Sequence, residues 1–155
     1  MPQDPKDVVR RFFATLSTGE LERLAEFFTE DSTWTVNDVA NGFPSQRGRA
    51  IIDDFLQPVR EGLFEAGDPK IEVIRMIAEG STVAAETIAR GALRNGNVYE
   101  NYYAWFIEVD PAAGKVLALK EYMDSDYAHS SSAPTEAGAP DAKYAEQLRS
   151  LGHEV

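Results

Sequence analysis

The chain has 155 residues and a net charge of −11, from 26 acidic and 15 basic residues. Its hydrophobic share of 43% is ordinary for one globular domain with a sizeable core. The acidic balance argues against a nucleic-acid partner and against an anionic membrane surface, since both bind basic surfaces. Cysteine is absent, which excludes disulfides and thiolate chemistry and fits a reducing cytoplasm.

Targeting and cofactor signals are also missing. The N-terminus has no basic stretch followed by an apolar one, so we expect no signal peptide, and no apolar run is long enough for a transmembrane helix. His129 and His153 both come late in the chain, which argues against a histidine-rich metal site and an early-placed histidine base. Glycine-rich phosphate loops and zinc-protease motifs are absent, so we expect no cofactor and no metal.

The first part of the chain has helical patterns. Asp4 and Pro5 are favoured residue types at a helix start, and Gly19 ends the apolar period that follows. Pro58 should kink or divide the last of these helices. The predicted elements are a helix ending at Gly19, a second helix from about Glu20, a strand over 32–37, a loop over 38–47 and a third helix over 48–64.

From residue 70 the apolar period changes to that of strands. Asn95-Gly96, between two of them, is the strongest short hairpin signal. Helices followed by hairpin-linked strands predict an α+β domain with helices on one face of an antiparallel sheet. The predicted strands run over 70–78, 82–93, 98–109 and 116–123.

The end of the chain has a different composition. Residues 130–141 are small and polar, with prolines, and predict a flexible linker without regular structure. Residues 143–151 then predict a short helix. We therefore expect one domain over 1–128, followed by a linker and a short helix over 129–155.

The last predicted strand carries an acid on an apolar face. By the period of two, Glu121 shares that face with Leu117, Leu119 and Met123. Burial there would raise the pKa of Glu121, which suits a carboxyl to acid–base catalysis. The alternative is a strand-end glutamate that reaches solvent or pairs with a basic residue.

Both faces of the preceding strand are apolar. One carries Asn101, Tyr103 and Trp105, and the other carries Tyr102, Ala104 and Phe106. The first set indicates plain core or the wall of a pocket. Helices can cover only one face, so the second set predicts the interface of a homodimer.

The remaining polar candidates lie elsewhere in the chain. Asp38 follows the first strand, where an acid can act as a base, although aspartate is also common in turns. Glu86 and Arg90 are four apart on one strand and are predicted to form a structural ion pair. Arg47 and Arg49 favour surface solvation, with anchoring of an anionic or carbonyl-bearing ligand as the alternative.

Three segments together resemble the SnoaL-like branch of the nuclear-transport-factor-2-like superfamily. They are FFTEDSTW at 27–34, YENYYAWFIEV at 99–109 and GKVLALKEYMD at 114–124. Relatives in that superfamily include ketosteroid isomerase, limonene epoxide hydrolase, polyketide cyclases and the small phenazine-biosynthesis proteins. The resemblance covers about residues 5–128. It implies a cone-shaped, strongly curved antiparallel sheet packed on three helices and enclosing an apolar pocket, usually in a homodimer.

Carried over by position, the resemblance puts Glu121 where several of these enzymes place an acid–base carboxylate. Asp38 stands near the position of the ketosteroid isomerase base. Thr87 and Ala89 occupy the places of the epoxide hydrolase arginine and aspartate, so that triad is not expected. The isomerase oxyanion pair is not expected either, because Phe12 and Trp105 stand at its positions.

The sequence therefore supports two hypotheses. The first is a cofactor-free enzyme that binds a small hydrophobic or polycyclic molecule and catalyses isomerisation, cyclisation or dehydration, with Glu121 and Asp38 as catalytic groups. The second is a non-catalytic ligand-binding or scaffolding dimer, which a salt bridge lowering the pKa of Glu121 would favour. The expected substrate-binding residues are Trp34, Asn37, Asn101, Tyr103, Trp105, Leu119 and Met123.

Overall fold

A computed structural model describes residues 1–133, which form a six-stranded sheet and the helices that pack on it. The strands are β1 (Phe28–Val36), β2 (Ser45–Arg47), β3 (Lys70–Glu79), β4 (Thr82–Ala92), β5 (Val98–Asp110) and β6 (Lys115–Met123). The helices are α1 (Pro5–Thr18), α2 (Leu21–Ala25), α3 (Gln57–Leu63) and α4 (Ser125–Ser132). A 3-10 turn covers Val39–Asn41, and a π-helical segment covers Ile51–Leu56.

Helix α1 forms as its sequence predicts and supplies much of the core. The Asp4 side chain accepts a 2.9 Å hydrogen bond from the Lys6 amide, and Pro5 occupies the first turn. Gly19 ends the helix in the left-handed conformation at φ 76°, where glycine is favoured. The buried stripe of α1 consists of Val8, Val9, Phe12, Phe13 and Leu16.

The sheet is curved and does not close, and its strand order is β2-β1-β6-β5-β4-β3. Strands β3 to β6 form antiparallel pairs, as predicted, but β1 runs parallel to β6. The expectation of a wholly antiparallel sheet is therefore wrong at that pair, because the long connection between β1 and β3 lets β1 join the other edge. The short strand β2 lies in a segment that the sequence predicts to be a loop.

Strand β6 departs from the predicted alternation at one residue. The register with β5 shifts between the pairs Glu108–Ala118 and Val109–Val116, which leaves Leu117 as an extra residue. Leu117 is consequently 40% exposed instead of sharing the inner face with Leu119. Beyond the bulge the side chains alternate between the two faces again, so Leu119 and Glu121 both face inward.

Pro58 does not interrupt the predicted third helix, because the chain stays helical from Ala50 to Leu63 and only the hydrogen-bond pattern changes ahead of the proline. The π-helical segment Ile51–Leu56 precedes it, and α3 begins at Gln57 with the proline in its first turn. Because helical residues precede it, the proline leaves out one hydrogen bond of this helix. The π-helical segment and α3 both line the cavity on the concave side of the sheet.

Helix α4 is not predicted by the sequence and extends into the expected linker. Asp124 caps it by accepting a hydrogen bond from the Tyr127 amide at 2.9 Å. The side-chain amides of Asn95 and Asn97, in the β4–β5 hairpin, both donate to the Ser131 carbonyl, at 2.8 and 2.9 Å. The linker prediction is therefore wrong for 130–132; its remainder and the predicted helix over 143–151 lie outside the described residues, apart from Ala133.

The exposed ion pairs of the sheet connect strands instead of running along them. Arg90 donates to Glu72 at 2.6 Å and to Glu100 at 2.9 Å, and Arg75 donates to Glu86 at 3.2 Å. The predicted Glu86–Arg90 pair is wrong, because four residues along a strand span roughly 13 Å whereas neighbouring strands are under about 5 Å apart. Among residues 1–133, no helix is long and apolar enough to cross a bilayer.

Candidate functional site

A cavity of about 230 Å³ lies between the sheet and the helices that cover it. Aliphatic and aromatic side chains from α1, the π-helical segment, α3 and the inner face of the sheet form most of its wall. A few ionisable groups interrupt this apolar lining: Asp38, Arg60, Tyr99, Tyr103, Glu121 and His129. This mixture of apolar walls and a few polar groups is typical of small-molecule sites.

Glu121 lies on the cavity wall in the middle of the sheet. Its backbone pairs with Val36 of β1 on one side and with Trp105 of β5 on the other. The residue is 7% exposed, and Trp34 Nε1 donates a 3.0 Å hydrogen bond to its Oε2. Burial raises the pKa of Glu121 to about 7, while the hydrogen bond from Trp34 opposes that rise.

The two tryptophans of the cavity wall are fixed by different hydrogen bonds. Trp34 is held by its bond to Glu121, whereas Trp105 Nε1 donates to Thr87 Oγ1 at 2.8 Å. Their rings meet edge to face, with centroids 5.7 Å apart. Phe13 of α1 packs on the Trp105 ring in the same way at 5.2 Å, which ties the core of α1 to this wall.

Two tyrosines form a hydrogen-bonded pair beside Glu121. The hydroxyl oxygens of Tyr99 and Tyr103 are 2.5 Å apart, and Asn101 Nδ2 donates to the Tyr99 oxygen at 3.0 Å. The Tyr103 ring stacks on Trp105 with centroids 5.4 Å apart. Burial raises the pKa of Tyr99 to about 12 and that of Tyr103 well above its usual value, so both hydroxyls keep their protons at neutral pH.

Asp38 is the second carboxyl of the cavity and has polar neighbours. Its Oδ2 accepts hydrogen bonds from His129 Nε2 and from Asn41 Nδ2, both at 2.8 Å. Desolvation raises the pKa of Asp38, but these two hydrogen bonds and the charge of His129 outweigh it, so the pKa lies below its ordinary value. Asp38 is therefore ionised at neutral pH.

Arginines contribute little free charge to the cavity. Arg60 lines the wall, but its guanidinium donates to the backbone carbonyls of Leu16 and Pro69 at 3.1 and 3.4 Å. Arg47 and Arg49 are not among the lining residues. Both are exposed and form ion pairs, which agrees with the expectation that they are solvated at the surface. Residues 1–133 contain no group of three or more acidic or histidine side chains placed to hold a metal ion.

Most of the residues expected at the site lie on the cavity wall. The structure brings together Trp34, Asp38, Tyr103, Trp105, Glu121 and Met123. Leu119 is fully buried at a register position between Trp34 and Ile107, in the core instead of at the cavity. The other two are not lining residues either: Asn37 stands in the chain between Val36 and Asp38, which do line the cavity, and Asn101 donates a hydrogen bond to Tyr99.

Sequence reasoning missed His129 and Tyr99 as lining residues. Tyr99 was available from the alternation of its strand, because it shares a face with Asn101 and Tyr103. The small, polar composition that begins near His129 instead predicts a flexible tail there. The signal that could have placed it is Asp124, a favoured N-cap type directly after the last strand, which predicts a helix through residue 129.

The model of the SnoaL-like domain matches residues 9–119 of the chain. The chain belongs to the SnoaL-like family. That match includes Trp34 of β1 and Asp38 beyond the end of that strand, and it ends two residues before Glu121. A search of curated proteins finds no match for this SnoaL-like chain.

Solved structures share the fold of this SnoaL-like protein at low sequence identity. PrhC from Penicillium brasilianum is 12% identical, with a TM-score of 0.71, over 96% of this chain and 89% of that one. TerC, co-crystallised with polyporic acid, is 18% identical, with a TM-score of 0.69, over 82% and 96%. A protein of ketosteroid isomerase-like fold from Catenulispora acidiphila, in complex with trimethylamine, is 15% identical, with a TM-score of 0.65, over 81% and 88%.

Proposed function

We propose that this protein binds a small hydrophobic carbonyl compound in its cavity and transfers a proton on it through Glu121, without a cofactor. The observation that carries this proposal is the buried Glu121 carboxyl on the cavity wall, whose pKa of about 7 suits it to gain and lose a proton near neutrality. Family membership and the small molecules bound by TerC and by the Catenulispora protein support a ligand-binding role.

The proposed first step breaks a carbon–hydrogen bond next to the carbonyl of the bound compound. The ionised Glu121 takes the proton, and the electron pair of the broken bond moves to the carbonyl oxygen to form an enolate. Where the compound has a carbon–carbon double bond at its β- and γ-carbons, the enolate is a dienolate. Glu121, now protonated, returns the proton to the γ-carbon, and the double bond moves into conjugation with the carbonyl, which completes an isomerisation. Cyclisation and dehydration can begin with the same step.

Tyr103 is the proposed donor to the enolate oxygen. Either hydroxyl of the Tyr99–Tyr103 pair can donate across their 2.5 Å separation; in the proposed arrangement Tyr99, whose oxygen accepts from Asn101, donates to Tyr103. The Tyr103 proton is then available to a molecule in the cavity. A donor placed where negative charge develops stabilises the transition state more than the ground state. Asp38, ionised on the same wall, serves as the second carboxyl of the site.

Hydrogen exchange on a simple ketone tests this mechanism. The probe is 2-tetralone in D₂O, and the replacement of its α-protons by deuterium is followed by proton NMR. We expect the protein to accelerate exchange and Glu121→Gln to reduce that acceleration by on the order of 10²–10⁴-fold. The matched control is Glu79→Gln, an exposed glutamate on β3 that does not line the cavity.

Two results would contradict the proposal. Equal exchange by the wild type and Glu121→Gln would remove Glu121 from the reaction. Binding of 2-tetralone without any acceleration of exchange would favour the non-catalytic ligand-binding alternative. Among residues 1–133, no salt bridge to Glu121 is present to favour that alternative in advance.

We further propose a homodimer that uses the outer face of the sheet. On this face Tyr102 is 56% exposed and Phe106 is 52% exposed, and the Phe106 ring packs edge to face on Tyr122. A stable interface buries roughly 1,200 Å² or more in total. Light scattering at micromolar concentration should give twice the mass of one chain, and Phe106→Glu should reduce it to that of one chain.

The cytoplasmic location expected from the cysteine-free composition stays a prediction.

A further inference from the structure

One polar atom of the cavity has no hydrogen-bond partner. Among residues 1–133, Asp38 Oδ1 is the buried side-chain oxygen or nitrogen atom without one, and Asp38 as a whole is 4% exposed. The other oxygen of the same carboxylate, Oδ2, is held by Asn41 and His129. Asp38 lines the cavity, but Oδ1 itself is covered, so a bound molecule pairs with this oxygen once the covering side chains shift.

We propose that Asp38 Oδ1 accepts a hydrogen bond from a hydroxyl group of the ligand, so that the natural substrate is a hydrophobic compound bearing an alcohol, phenol or enol hydroxyl. This inference names a substrate class for the cavity of the proposed function, but it does not depend on proton transfer by Glu121. An ionised acceptor makes the hydrogen bond short and strong. A site that leaves such an acceptor unpaired binds analogues without the hydroxyl more weakly.

The local chemistry favours a hydroxyl over an ammonium group. An ammonium group has three donors, and Asp38 offers a single unpartnered oxygen. The cavity wall around it is mainly apolar and would leave the remaining donors unpaired. A hydroxyl needs only the one acceptor.

Helix α4 gives this acceptor its orientation. His129 extends from α4 to Asp38, and α4 is fixed to the β4–β5 hairpin by the amides of Asn95 and Asn97. Asn41, at the end of the 3-10 turn after β1, holds the carboxylate from within its own loop. The acceptor is therefore held from two separate parts of the chain, which makes His129 a positioning residue.

Three probes that share one ring system test the inference by isothermal titration calorimetry. They are 2-naphthol, its ether 2-methoxynaphthalene, and the amine 2-naphthylmethylamine. We expect the wild type to bind 2-naphthol about ten-fold or more tightly than the ether, because only the naphthol can donate to an ionised acceptor. Asp38→Asn should remove most of that preference, and Asp7→Asn, at an exposed aspartate of α1, should preserve it.

The outcomes separate this inference from the proposed function. Equal affinity for naphthol and ether, no affinity for either, or tighter binding of the amine would overturn the hydroxyl assignment. The wild-type comparison alone can do so, even if Asp38→Asn fails to fold. Glu121→Gln should keep the preference for naphthol while losing exchange on 2-tetralone, so the failure of one proposal leaves the other standing.

Discussion

Glu121 and Asp38 lie on the wall of one cavity, yet their environments move their pKa values in opposite directions. Glu121 is surrounded by apolar side chains and receives a hydrogen bond from Trp34, so desolvation dominates and raises its pKa to about 7. Asp38 is slightly less exposed, at 4% against 7%, but two donors hold one of its oxygens, and its pKa falls below the ordinary value. Exposure alone therefore does not determine the charge of a cavity carboxyl; the donors around it do.

The largest expected effect is the dependence of stability on pH that Glu121 imposes. The folded protein holds a proton there up to about pH 7, whereas the unfolded chain loses it near the ordinary value of 4.5. The stabilisation is fully present below pH 4.5 and is lost as the pH rises through 7. This loss amounts to about 3 kcal/mol of unfolding free energy.

Glu121→Gln isolates that contribution because glutamine does not titrate. The quantity to follow is the unfolding free energy of the variant minus that of the wild type. We expect this difference to increase by about 3 kcal/mol from pH 4.5 to pH 8, because only the wild type loses stability over that range. Urea unfolding followed by circular dichroism at several pH values measures it. Glu79→Gln should stay parallel to the wild type throughout, and a constant offset for Glu121→Gln would show that Glu121 titrates normally.

Asp38 should make stability depend on pH in the opposite direction from Glu121, and Asp38→Asn should reveal a smaller change in unfolding free energy. The lowered pKa of Asp38 contributes stability above its ordinary value of 3.8, and this contribution is lost as the pH falls through the folded pKa. We expect the variant to unfold about 1–2 kcal/mol more easily than the wild type at pH 7, because two hydrogen bonds lose a charged acceptor. The difference in unfolding free energy between the wild type and the variant should become smaller in acid. A difference that becomes larger there would contradict a lowered pKa for Asp38.

The sheet and the main helices could be predicted because each depends on a local pattern. Alternation predicts β3 to β6, and capping residues predict both ends of α1. The parallel β1–β6 pair and the bulge at Leu117 could not be predicted in this way. Both depend on which strands meet in space and in what register, and neither leaves a period in the sequence.

The same distinction holds for the two carboxyls. The burial of Glu121 follows from alternation within its own strand, so the sequence could predict it. The environment of Asp38 needs His129, 91 positions later in the chain. No single segment contains that contact, and the small, polar composition of the tail favoured a linker there. Polar contacts that join distant segments are thus the part of this site that only the fold reveals.

The smallest predicted effect tests which donor controls Glu121. Trp34→Phe keeps an aromatic ring in the wall but removes the Nε1 hydrogen bond that lowers the Glu121 pKa. One such bond contributes about 0.5–1.5 kcal/mol, so the pKa of Glu121 should rise by about 0.5 above its wild-type value. Trp105→Phe is the matched control, because that indole lies in the same wall but donates to Thr87. Carboxyl titration by carbon-13 NMR, assigned with Glu121→Gln, measures both variants. A similar rise in both would assign the effect to general repacking of the wall, whereas a rise in Trp34→Phe alone would assign it to the indole donor.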